Sequence, residues 1–152
     1  MKNILIAIDY NPSAIKVAET GYKIAKVMNA EITITHVIDD PAYYAIDYSP
    51  IMGYRGGYTD GTIAVYNDIK KGAKDFLAAM VEHLGDPTIT AKALTGDTDD
   101  AILEYCDIHK IDLIVMGSHS HKGLERLFVT DVAAHILKHS KIPLLIVPTE
   151  DK

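Results

Sequence analysis

Five short apolar runs alternate with four longer segments of helical period, and this alternation predicts an α/β chain with a doubly wound parallel sheet. The runs are residues 4–8, 31–38, 88–94, 113–116 and 144–147. Two further observations support the prediction. The run Ile4-Leu5-Ile6-Ala7-Ile8 is apolar without alternation, as a strand covered on both faces must be. The segments between the runs place apolar residues three and four apart, giving helices on both faces of the sheet.

Taken in order, Asn11-Pro12 offers a cap and a first-turn proline after the first strand. Ala14, Val17, Gly21, Ala25 and Met28 then mark one helical face. The second strand is rich in Ile, Thr and Val. Ile69, Ala73, Phe76, Met80 and Leu84 form the stripe of the second helix, which stops at Gly85 with Pro87 beyond it. The third helix opens among Asp97, Thr98, Asp99 and Asp100, where carboxylates oppose the positive end of the helix dipole. Val132, Ile136 and Leu137 mark the face of the last helix, and Pro143 and Pro148 bracket the fifth strand. Residues 41–66 break the rhythm: they carry six of the nine tyrosines and show no sustained period, which reads as a surface loop. A lid or a partner surface is the sharper reading of the same residues, since tyrosine pairs apolar area with a polar tip.

Composition bounds the function. At 152 residues the chain is long enough for one cored domain, taken as 1–152, and no apolar run approaches the length of a membrane span. The apolar stretch after Met1-Lys2-Asn3 stops at Asp9, so no signal peptide is expected. The single Cys106 excludes an internal disulfide and fits a reducing, cytoplasmic compartment, with a buried thiol on a helix face as its expected place. A net charge of −6 without a basic cluster argues against nucleic acid as a partner. An acidic protein that holds an anionic nucleotide must use backbone N–H groups and local dipoles.

In a doubly wound sheet, ligands sit outside the carboxyl ends of the strands, where the strand order reverses. The residues there are Asp9-Tyr10-Asn11, Val37-Ile38-Asp39-Asp40 and Met116-Gly117-Ser118-His119. No G-x-x-x-x-G-K-[ST] phosphate loop, no G-x-G-x-x-G and no G-x-S-x-G elbow occurs in the chain. The paired acids and late lysine of a receiver domain are also missing. His119 and His121 supply at most two metal ligands, with Asp9 the one plausible third, so a solvated loop pair is expected. His36 and His135 are expected to be satisfied polar residues, and no residue set reads as a nucleophile with its base.

The opening strand through Asp9, then His36-Val37-Ile38-Asp39, Gly96-Asp97, Asp112-Leu113-Ile114-Val115-Met116-Gly117-Ser118-His119 and Pro143-Leu144-Leu145-Ile146-Val147 occur in one order and spacing. Together they make the chain resemble the universal stress proteins from end to end. The resemblance implies a sheet of adenine-nucleotide α-hydrolase-like type, in strand order 3-2-1-4-5. It also implies a homodimer through strand 143–148, and ATP or AMP as ligand, with Mg²⁺ present only if a nucleotide binds. The residues it assigns to the site are Asp9, Val37, Met116, Gly117, His119, Ser120, Thr130, Asp131 and Val132. Asp9 matches the acid at the base region, and Val37 the residue whose backbone meets adenine.

ATP-binding relatives carry G-x2-G-x9-G-[ST] at the loop that opens at Gly117. Here the spacing is intact, but Ser120, Thr130 and Asp131 stand where the second glycine, the third glycine and the hydroxyl belong. Side chains at 120 and 130 fill the approach to the backbone, and a carboxylate at 131 can occupy the helix N–H groups a phosphate would use. A carboxylate about 4 Å from a phosphate costs on the order of 1–4 kcal/mol, roughly one to three orders of magnitude in affinity. The expected function is therefore a small-ligand-binding regulatory protein with weak or lost ATP binding. The alternatives are an enzyme that slowly hydrolyses a nucleotide and an interaction protein acting through residues 41–66.

Overall fold

The computed structural model describes residues 1–38, 46–49, 53–56, 60–118 and 131–149, the two four-residue segments by their backbone alone. In chain order the elements are β1 (Asn3–Ala7), α1 (Ala14–Val27), β2 (Glu31–Ile38), β3 (Ile46–Ser49) and β4 (Gly53–Gly56). They continue with α2 (Asp60–Leu84), β5 (Thr90–Thr95), α3 (Thr98–His109), β6 (Leu113–Gly117), α4 (Asp131–His139) and β7 (Leu144–Val147). The main sheet runs β5-β2-β1-β6-β7 with every pairing parallel, so its five strands, counted alone, stand in the expected order 3-2-1-4-5. Among the described residues, no helix is long and apolar enough to cross a membrane.

Strand β1 shows why an unbroken apolar run was needed. Ile4 and Ile6 face a core built with Val17, Ala18 and Ala25 of α1 and Leu77 and Met80 of α2. Leu5 faces the opposite core, with Ile102, Tyr105 and Cys106 of α3 and Ala133 and Ile136 of α4. All three strand residues are fully buried. Removing about 25 cal/mol of unfavourable hydration per Å² of apolar area, this two-sided burial is the main force holding the layers together. Gly21 lets α1 approach the sheet, since a Cβ there would lie 2.7 Å from Cδ1 of Ile6. Gly85 ends α2 in the left-handed region (φ 68°), its N–H donating to the carbonyl of Val81.

The structure corrects several expectations. The run 41–66 is not wholly irregular: β3 and β4 form an antiparallel pair, and α2 begins at Asp60, taking in Tyr66. No period marked this first part of α2 because, among its side chains described, none before Ala73 is buried; Ile63 and Val65 are exposed. Met28 lies just beyond α1 and is exposed at 38%, and Leu137 is exposed at 66%; α4 buries Ala133 together with the expected Ile136, and Val132 packs half-buried against the same core. Pro12 falls in the turn ahead of α1, whose cap position is Ser13; the Asn11 side chain accepts from the Ser13 N–H at 3.2 Å. The third strand ends at Thr95, one residue later than expected, and the first at Ala7, one earlier.

Candidate ligand site at the carboxyl edge of the sheet

The chain runs outward from β1 through β2 to β5, then returns to β6 on the other side of β1. The strand order therefore reverses between β1 and β6, and the crevice of a doubly wound fold opens at their carboxyl ends. Register fixes what stands there. Ala7 is level with Thr35 on one side and Met116 on the other, and the Ile8 N–H donates to the Thr35 carbonyl at 2.9 Å. Asp9, Val37 and Gly117 thus leave three neighbouring strands at about the same height.

Asp9 is half-buried, and its Oδ1 accepts from the Asn11 N–H at 3.1 Å. That short turn holds the carboxylate at the end of β1. Val37 is also half-buried and packs on the α3–α4 side of the sheet. Its neighbour His36 points to the other side and is nearly buried. His36 Nδ1 lies 2.9 Å from the Ile8 carbonyl, which can only accept, so Nδ1 carries the proton. The His36 ring lies 4.4 Å from that of Tyr10 and 5.9 Å from that of Phe76, with Tyr10 and Phe76 4.8 Å apart. This aromatic group braces the turn after β1, and partial burial pushes the Tyr10 hydroxyl above its ordinary pKa.

On the other side of the crevice, Met116 is buried and Gly117 closes β6. A Cβ at Gly117 would lie 3.1 Å from Cγ2 of Val17 and 3.2 Å from Cγ2 of Thr149, so glycine allows this close seat. Beyond it, the Ser118 N–H donates to the Val147 carbonyl at 3.0 Å. Ser118 Oγ accepts from the Thr149 N–H at 3.0 Å and lies 3.2 Å from Thr149 Oγ1. Ser118 and buried Thr149 clamp the ends of β6 and β7 to each other. Sequence reasoning missed this clamp and the Tyr10–His36–Phe76 group; the only signal was that Tyr10, Ser118 and Thr149 follow strand ends.

Asp131 is exposed at the first position of α4, where a carboxylate opposes the helix dipole, and Val132 is half-buried beside it. His119, Ser120 and Thr130, and also His121, lie outside the described residues. Asp9, Val37, Met116 and Gly117 are brought together at one edge; Asp131 and Val132 are placed on their own element. His135 is paired as expected, its Nδ1 3.2 Å from Asp99 Oδ2. Cys106 is buried in α3, and burial pushes its thiol up to about 12, leaving no useful thiolate at neutral pH.

A sequence model of the universal stress protein family matches residues 1–148. The chain is 27% identical over 154 residues to a universal stress protein of Methanocaldococcus jannaschii, covering 99% of this chain and 84% of that protein. Its fold is similar to a universal stress protein solved in complex with cAMP (TM-score 0.67, 19% identity, 98% of each chain covered). It is also similar to the universal stress protein of Archaeoglobus fulgidus solved in complex with dAMP (TM-score 0.64, 15% identity, 96% of this chain and 97% of that one). This chain belongs to the universal stress protein family.

Proposed function

We propose that the protein is a regulatory module that binds an adenine nucleotide chiefly through its base and ribose, at the crevice between β1 and β6. The observation that carries this reading is the convergence of Asp9, Val37 and Gly117 at the point where the strand order reverses. The complexes of family members with cAMP and dAMP, each a monophosphate, support the ligand class. Asp9 and Val37 border the base and ribose; Met116, Gly117 and Val132 line the opposite wall; His119, Ser120, Thr130 and Asp131 surround the phosphates. Because Asp131 adds negative charge at the phosphate end, the triphosphate gains little over the monophosphate, and Mg²⁺ enters only with a nucleotide. The module is a single cytoplasmic domain. Titration of the protein with AMP by calorimetry tests the reading: saturable binding of one nucleotide per chain supports it, and no heat at millimolar AMP rejects it.

The same module pairs with a second copy through β7. This strand lies at the sheet edge, and Leu144, Leu145 and Ile146 are only half-buried there. An apolar edge of this kind needs a partner or a cover. A two-fold pairing of the strand supplies one. Sedimentation at micromolar concentration is expected to give the dimer mass, and a monomer would remove this part of the proposal.

A further inference from the structure

The first turn of α3 and the second turn of α4 bring together Asp99, Asp100 and His135, whose ligand atoms all lie within 4.8 Å of one another. We propose that these three side chains form a binding site for a divalent transition metal ion of the zinc type, which fills without nucleotide. Two carboxylates balance the charge of a dication, and a neutral imidazole adds the nitrogen that separates zinc-type ions from Mg²⁺, which keeps to oxygen and water.

The frame suits such a site. Ile102 and Tyr105 of α3 and Ala133 and Ile136 of α4 share one core, so the ligands ride on two helices packed together. His135 is braced from behind: the His139 ring stacks on it at 4.0 Å, and His139 Nδ1 donates to the His135 carbonyl at 2.9 Å. The side chains of His135 and Asp99 are 41% and 24% exposed, open enough for an ion to enter and sheltered enough to hold it. Ligand atoms at about 2 Å from a tetrahedral ion stand roughly 3.3 Å apart, close to the 3.2 Å already separating His135 Nδ1 from Asp99 Oδ2. Exposed Asp100 closes the remaining gap by side-chain rotation, and water takes the fourth position. Without the ion, the same Asp99–His135 contact is a polar pairing that becomes an ion pair only when the imidazole is protonated.

Calorimetric titration of Zn²⁺ into nucleotide-free protein decides between the two, with Co²⁺ absorption reporting the ligand geometry. One ion per chain is expected, with affinity falling at least about tenfold in His135→Gln and in Asp99→Asn, the smaller loss seen even when a group that only supports a ligand is removed. The paired change His119→Ala and His121→Ala should leave that binding intact, and Mg²⁺ in hundredfold excess should not displace the ion. Saturating Zn²⁺ should raise the melting temperature of the wild type and of the paired variant but not of His135→Gln, because only a site in the folded state gains from the ion. The unliganded melting temperature of each variant shows that it still folds. The absence of Zn²⁺ binding, or binding that survives in His135→Gln and disappears in the paired variant, would overturn the proposal.

Discussion

Asp131→Ser should bind ATP roughly ten- to a thousandfold more tightly than the wild type, the range that removing a like charge about 4 Å from a phosphate spans between water and a near-surface environment. Asp131 is exposed at the start of α4, which places the gain in the lower part of that range, and added salt should reduce it further. The serine removes the negative charge and shortens the side chain, so the first-turn N–H groups of α4 stand open to a phosphate. AMP affinity should change less than ATP affinity, because fewer phosphate charges feel the residue. Calorimetry of both proteins with both nucleotides, with and without Mg²⁺, measures this. Tight wild-type ATP binding that depends on Mg²⁺ and disappears in the serine variant would show that Asp131 holds the metal against the phosphates, and would favour a nucleotide-hydrolysing enzyme.

Gly117→Val should cost about 1–3 kcal/mol of stability, as inserting side-chain volume into a packed seat does, and should also weaken nucleotide binding. The new Cβ meets Val17 and Thr149 at close to 3 Å, and Thr149 is 3% exposed with little room to retreat. If Thr149 shifts, its N–H loses Ser118 Oγ and the ends of β6 and β7 move with it. Urea denaturation gives the stability change, and AMP titration well below the denaturation midpoint gives the binding change. An unaltered midpoint would show that the close approach at Gly117 is unimportant.

Much of this arrangement was legible from residue pattern because two-sided burial leaves a plain mark. The unbroken run at Ile4–Leu5–Ile6 marked a strand buried on both faces, and the Gly85 stop and the acids at Asp99 and Asp100 marked helix ends whose physics is local. Exposed elements left no such mark. The first turns of α2 carry Ile63 and Val65 into solvent, so no stripe appears, and the β3–β4 pair is too short for its alternation to stand out. Strand ends, where a doubly wound fold binds, pointed to the stretches that open at Asp9, Val37 and Met116, and the family resemblance singled out Asp9, Val37 and Gly117 within them. The Ser118–Thr149 clamp depends on residues 31 apart meeting at two strand ends, and the Asp99–His135 contact joins residues on two helices; neither has a local signature.

In the proposed function, adenine nucleotide is held by its base end at the β1–β6 crevice. The most direct measurement is the ratio of wild-type affinities for AMP and ATP, taken by calorimetry in one buffer with Mg²⁺ present. With Asp9 and Val37 bordering the base and Asp131 opposing the phosphates, the two affinities should agree within a few fold. ATP binding at least tenfold tighter than AMP would contradict this account, since it would place the dominant contacts on the phosphates.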